Sequence, residues 1–347
     1  LIGGYRELAP WLLIVYAAVA LLIAPIGGAA VSATTAAILG AITGTDISLV
    51  ALVVGVLAGT IVLLLVGGYR WLERLSTLLV AFLTLATLAA AAIALPQVDW
   101  RSAVNVEWSF DITALLFVIA LAGFMPTAIG QSVDISLWTL KSQEDAAPGE
   151  RLSIGATRGG FLAAYGLTSL LAVCFCIMGA GVMHSAQITP ESGAAELASQ
   201  IVGLYSETLG PVPAFFAGIA AFLVMATTMA GAFDGIARGY GALYQEYRGN
   251  VGGTPSRANY AFFLIMTAIM SFAVLAFLLE SFTTFIDLVT SIYFLLTPTT
   301  ALLNHLVVTR CEMDDEHRPS AGVRLLSLCG IVVMTAMSVM FFALKAV

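Results

Sequence analysis

Charged side chains are scarce: they make up 10% of the 347 residues, where a soluble chain carries about 25%. Apolar residues fill 60% of the positions. That balance excludes an ordinary soluble domain and makes lipid the main solvent. Cysteine is scarce too. The four present, Cys174, Cys176, Cys311 and Cys329, set no disulfide framework. Cys174 and Cys176 are two apart on a helix and point to different sides, so a buried apolar role is expected. The histidines, His184, His305 and His317, are scattered, and none pairs with a cysteine or a second histidine at zinc-ligand spacing. No glycine-rich loop with a following Lys is found, which argues against ATP-driven transport by this chain. The net charge of −7 says little about partners, because membrane loops are read by where Lys and Arg fall. Nothing points to nucleic acid, to a resident cofactor or to a required protein partner. The sequence starts at Leu1, with no start methionine and no signal-peptide pattern, as a fragment or an alternative start codon would give. Residues 1–8 read as a loop before a helix.

What is present is length of apolar run. Nine segments reach the ~20 residues that span a bilayer: A 10–42, B 48–67, C 72–95, D 111–140, E 159–184, F 211–237, G 258–279, H 282–308 and I 322–344. Segments A, D, F and H are long, which implies tilt, a break or extension into water. Orientation follows from the basic residues. With the start of the chain cytoplasmic, one side holds Arg6, Arg70, Arg74, Lys141, Arg151, Arg158, Arg238, Arg248, Arg257, Arg310, Arg318 and Arg324, and the other holds Arg101 and Lys345. The C-terminus then lies outside, as does a long loop, 184–210, with Glu191, Glu196 and Glu207 and no basic residue.

Polar groups inside such segments cost free energy unless paired or wet, so they are the candidates for function. In segment D, Pro126 removes a backbone donor and crowds the carbonyl of Ala122. The expected break presents that carbonyl beside the Met125 thioether. Broken helices of this kind build substrate and ion sites in secondary transporters, although a plain proline kink is the other reading. Thr127 follows the break, and Gln131, Ser132, Asp134 and Ser136 make the rest of the segment polar. Asp134 reads as lining a cytoplasmic exit path, capping a neighbouring helix, or simply solvated. In segment F, Thr227 and Thr228 sit mid-membrane, and Asp234 and Arg238 share a helical face four residues apart. Segment H carries a polar stripe that includes Asp287, Thr290, Thr297, Asn304 and His305, with a second proline at Pro298.

Two other patterns lead nowhere. "DGIAR" (234–238) resembles the start of the CDP-alcohol phosphotransferase signature, but Gly231, Val251 and Pro255 stand where that chemistry needs metal-holding aspartates. A membrane enzyme is therefore disfavoured. The acidic run Glu312, Asp314, Asp315 and Glu316 has no calcium-loop spacing.

The central A-x-x-M-P, Ala122-Gly123-Phe124-Met125-Pro126, resembles the sixth helix of the NRAMP family of divalent-metal transporters. "GGYRWLERLSTLLVAFLTLATLAAAAIALP" (67–96) is similar to that family's basic loop and fifth helix. "TTMAGAFDGIARGY" (227–240) looks like the eighth helix of its divergent branch, and "LIGGYRELAPW" (1–11) like the stretch between its second and third helices. The resemblance implies an all-α integral membrane fold, with about nine transmembrane helices forming part of an eleven-helix, five-plus-five inverted repeat. Residues 1–347 would form one transporter domain, the family's third to eleventh helices, with the first two missing. The Asp-Pro-Gly-x-x-Asn break of the first helix is not in this sequence, nor is the histidine after Met-Pro, which is Thr127 here. Trp11–Ile42 has no Asp or Glu, so proton coupling of the family's usual kind is not expected.

The expectation is thus a non-enzymatic plasma (inner) membrane transporter or facilitator of a divalent metal as substrate. Ala122 and Met125 would be metal ligands, with Thr127, Asp134, Thr227, Thr228 and Thr290 along the path. The soft thioether favours Mn²⁺ or Fe²⁺ over Mg²⁺. The alternatives are an inverted-repeat transporter of a small organic solute or a monovalent ion, and a truncated inactive homologue.

Overall fold

A computed structural model describes residues 1–66, 69–101, 115–116, 118–119, 121–122, 125, 127, 129–145, 153–250, 256–278, 282–311 and 318–345. The chain is an all-α integral membrane protein, and no strand occurs among the described residues. Among the described residues, eight helices are long and apolar enough to cross a membrane. They match segments A, B, C, E, F, G, H and I. The apolar half of segment D lies largely outside the described residues, including Gly123, Phe124 and Pro126.

In chain order the helices are α1 (Ile2–Leu8), α2 (Pro10–Thr43), α3 (Leu49–Val66), α4 (Tyr69–Ala94), α5 (Ser132–Asp145), α6 (Ile154–Met178), α7 (Ala194–Leu209), α8 (Pro211–Tyr247), α9 (Arg257–Leu278), α10 (Phe282–Arg310) and α11 (Ala321–Lys345). The caps follow from residue type. Pro10 and Pro211 start α2 and α8, where a missing N–H is no loss. Ser153 caps α6 by accepting from the Ala156 N–H at 3.1 Å. Gly44 ends α2 at φ 58°, a left-handed conformation that suits glycine.

Two long helices form the centre. α2 has 34 residues and is about 51 Å long at ~1.5 Å per residue, well beyond the ~30 Å of a hydrocarbon core. α8 is longer still, at 37 residues. They pack on each other, and α3, α7, α9 and α10 also pack on α2. The contact face of α2 is built from small residues, including Gly27, Gly28, Ala29, Ala33, Ala36 and Ala37, all buried. Small side chains let helix backbones approach where lipid offers no hydrophobic drive for association. α6 and α11 lie at the periphery and turn large apolar side chains such as Leu162, Val173, Leu326 and Val332 outward.

Many hydroxyls inside the helices are satisfied locally. Ser32, Thr34, Thr35, Thr87, Thr267 and Thr297 each donate to the carbonyl four residues back, a pattern that spares a buried donor in lipid. Part of the polar stripe of segment H is explained this way and not by contacts between helices.

Three sequence expectations change. Residues 1–8 are not a loop: Ile2–Leu8 is helical, with Ile2 and Tyr5 buried. Gly3-Gly4 reads as a breaker, but packing of α1 against α2, α8 and α10 overrides that local signal. The segment 184–210 is not all loop either, because it contains α7. Of the cysteines, Cys174 is buried while Cys176 and Cys329 are exposed, and all four are free thiols.

Candidate functional site

A cavity of about 440 Å³ opens between α2, α5, α8 and α10. The walls come from residues with little side chain. On α2, Gly27 and Gly28 face it, and on α8, Gly231 and Gly239 do so. Gly27 and Gly28 have a second task. A Cβ at Gly27 would collide with the Tyr293 hydroxyl, and one at Gly28 with the Ser271 hydroxyl. Glycine at both positions thus lets α10 and α9 close on α2. The Ser271 hydroxyl is buried and has no hydrogen-bond partner among the described residues.

Pro25 lies inside α2 and leaves the helix short of a donor at its centre. Two tyrosines meet the carbonyls of that turn. Tyr240 of α8 donates to the Ala20 carbonyl at 3.1 Å, and Tyr293 of α10 donates to the Ile23 carbonyl at 3.4 Å. Both rings then form cavity wall, together with Tyr16 of α2 and Trp138 of α5.

Two carboxylates sit in this region in opposite states. Asp234 of α8 is fully engaged. It accepts from Arg238 Nε at 2.7 Å, from the Tyr260 hydroxyl at 2.7 Å and from Trp138 Nε1 at 3.3 Å. The Arg238 guanidinium also lies 5.4 Å from the Tyr260 ring centroid, within cation–π range. Asp134 lines the cavity but takes no hydrogen bond or ion pair among the described residues. It sits over a flat stretch of α8, where a Cβ at Gly235 would come within 3.2 Å of its Cβ.

One turn beyond the cavity the helices are latched together. Asn304 of α10 is one turn past Thr300, and Glu246 of α8 lies three residues past Leu243. Tyr5 of α1 donates to Asn304 Oδ1, and Asn304 donates through Nδ2 to Ser132 Oγ at 2.7 Å. Burial pushes the Tyr5 phenol well above its ordinary pKa, which keeps it a neutral donor. Arg6 pairs with Glu246 at 3.1 Å. α1, α5, α8 and α10 thus meet in one polar layer.

The expected path residues divide. Asp134, Thr227 and Thr228 come together in the cavity. The two threonine hydroxyls donate to the same Val224 carbonyl at 2.8 Å each and leave their lone pairs to the cavity. Ala122, Met125, Thr127 and Thr290 are not among its lining residues. Ala122 is exposed and Met125 is 40% exposed. Helical bonding persists to Met125, whose N–H donates to the Leu121 carbonyl at 2.9 Å. Met125 is a bend, Thr127 is irregular, and a 3₁₀ turn resumes at Ile129–Gln131. Thr127 donates to Gln131 Oε1 at 2.8 Å, so it touches the cavity wall at one remove. Thr290 is spent on the Ile286 and Asp287 carbonyls of its own helix. Among the described residues no three His, Cys, Asp or Glu side chains converge in a metal-holding group.

Tyr240 and Trp138 were missed by sequence reasoning, and Tyr293 was marked only as one member of the polar stripe of segment H. The only signal was their position on helices already marked as polar, since the pairings they make are set by tertiary packing.

No family model matches the chain. It is similar to an uncharacterized protein of Pasteurella multocida (strain Pm70), at 26% identity over 288 residues. That alignment covers 82% of this chain and 64% of the relative, so the chain spans less than two thirds of that protein's length.

Proposed function

We propose that the protein is a secondary transporter or facilitator that carries a small cation, with a divalent metal as substrate, through the cavity by alternating access. One observation carries the reading: Asp134, a carboxylate with no hydrogen-bond or ion-pair partner among the described residues, faces a cavity walled by membrane helices. An acid at membrane depth is costly unless it meets a partner, and the partner that comes and goes is the substrate. Thr227 and Thr228 add hydroxyl oxygens, and Gln131 an amide oxygen, to the same wall. Ala122 and Met125 do not line that wall; as metal ligands at the break their carbonyl and thioether rest on the family resemblance, and the thioether tilts selectivity to Mn²⁺ or Fe²⁺ over Mg²⁺. The setting is the plasma membrane, with the start of the chain cytoplasmic and the C-terminus outside, and the transported ion undergoes no chemistry.

Uptake into proteoliposomes by the full-length protein tests this. Mn²⁺ uptake should fall at least tenfold in Asp134→Asn. Met125→Ala should narrow the preference for Mn²⁺ over Mg²⁺. If Asp134→Asn transports at the wild-type rate, the cavity is not the path. If Met125→Ala leaves uptake and selectivity unchanged, the ligand assignment at the break is wrong.

A second reading rests on the aromatic wall. Tyr16, Trp138, Tyr240 and Tyr293 surround one acid, which suits an organic cation held by ring faces and one countercharge. Competition of Mn²⁺ uptake by small alkylammonium ions separates the two.

A further inference from the structure

A second cleft, of about 360 Å³, lies between α10 and α11, with Ile129 and Ala301 in its lining next to Gly130 and Thr300 of the first cavity. We infer that it holds the headgroup and upper acyl chain of an anionic phospholipid. The inference is independent of the transport reading. On α11, Arg324, Ser327, Ile331 and Met334 line the cleft at spacings of three and four residues, so they form one helical face. On α10, His305 and Val308 line the opposite wall. The two walls are split by chemistry along their length. Arg324 lies in the first turns of α11, with Ser327 and His305 beside it. Val308 lies level with Arg324, since α11 runs back along α10 from the His305–Ser327 contact, and Ala301, Ile331 and Met334 supply the apolar wall beyond it.

Among the described residues the polar end has donors for an anion and no acid beside them; Glu312, Asp314, Asp315 and Glu316, in the link from α10 to α11, lie outside the described residues. The Arg324 side chain is exposed and makes no hydrogen bond or ion pair among the described residues. His305 Nδ1 and Ser327 Oγ are 3.0 Å apart across the cleft, which leaves Nε2 unengaged among the described residues. No acid occurs anywhere on α11, and the acid of α10, Asp287, lies eighteen residues before His305, about 27 Å along the helix at ~1.5 Å per residue. A guanidinium, an imidazole and a hydroxyl around one opening are donors suited to phosphate oxygens. The apolar end then suits a chain, not water. Free inorganic phosphate would fill only the first half of this cleft. Basic pockets between membrane helices near the interface are where anionic headgroups bind, and the helix ends here, at Arg310 and Ala321, put Arg324 near that level.

The gap is real space between the helices. A Cβ at Gly330 would meet nothing within 4 Å, so that position tolerates a side chain that fills the cleft. This gives a second variant that blocks the lipid without removing a charge.

Native mass spectrometry of the detergent-purified full-length protein at pH 7 reads the occupancy. The probes are phosphatidylglycerol, phosphatidylcholine of the same chain length, and inorganic phosphate. Phosphatidylglycerol should bind at least fivefold tighter than phosphatidylcholine, and Arg324→Gln should lose about fivefold, the worth of one basic residue at a membrane surface. Gly330→Leu should lose the bound lipid while keeping Arg324, and Arg248→Gln, at the end of α8, should leave binding unchanged. Equal binding of the two lipids, or retention of the preference in both Arg324→Gln and Gly330→Leu, overturns the inference. So does displacement of the lipid by millimolar phosphate alone, which would make the site one for the free anion.

Discussion

Asp134 and Asp234 lie on neighbouring helices, and their partners set them apart. Asp234 accepts from three donors, so it is structural. Replacing it with Asn leaves Arg238 without its countercharge and weakens two other bonds. A charge-assisted hydrogen bond is worth about 1.5–3 kcal/mol, and Arg238 is 35% exposed, which puts the loss toward the lower value. Asp234→Asn should therefore lower the melting temperature in detergent by several degrees. Asp134→Asn removes an acid with no partner among the described residues and should leave that temperature unchanged or raise it, while transport falls. Intrinsic-fluorescence melts of both variants check the contrast, and an equal loss in both would show that Asp134 is structural too. The Asp234–Arg238 pair was legible in the sequence because four residues is one helical turn. Trp138 and Tyr260 were not, because what brings them to Asp234 is helix packing across 96 and 26 residues.

Most of the helices were legible, because an apolar run of membrane length admits few other structures. The sequence missed α1 and α7 for one reason: both are short or polar enough to read as loop. In α7 the buried residues Ala194, Ala198 and Tyr205 keep a helical period, but Glu196 and Glu207 mask it in a search for apolar runs. The closeness of α2 to α10 was likewise hidden, since the sequence shows two adjacent glycines and not what fills their space. The contact gives a direct test. Gly27→Ala should push Tyr293 away and cost about 1–3 kcal/mol, as overpacking does. Tyr293→Phe removes the atom that a Cβ would strike first and gives up the long hydrogen bond, 3.4 Å, to the Ile23 carbonyl. The double variant should be less destabilised than the sum of the two singles, as residues in contact require. Additivity in chemical or thermal unfolding would mean that the two positions do not touch.

Across the whole molecule, alternating access needs a layer that holds in one state and parts in the other. The polar layer of Tyr5, Asn304 and Ser132, with Arg6 and Glu246, fits that need by position. It lies one turn past cavity residues on α8 and α10, and it joins α1, α5, α8 and α10 at one end of the bundle. Arg257 reaches the Leu65 carbonyl at 3.1 Å, which brings the ends of α3 and α9 to that same end. None of these links was visible as a motif, since each joins residues far apart in the chain. If the layer closes the cavity toward that end, weakening it should expose the cavity from that side. Thr228 faces the cavity, so Thr228→Cys in a cysteine-free background reports access to a water-soluble maleimide. Asn304→Ala breaks both bonds of the chain at once and should speed labelling severalfold from the side that carries Arg6, with little change from the other. Arg6→Gln should act in the same direction but more weakly, because its side chain is 36% exposed and an exposed ion pair is worth about 0–1 kcal/mol. Labelling that is equally fast in the parent and in Asn304→Ala would mean that the layer joins helices without gating the path, and the closure would then have to be sought at the Met125 bend.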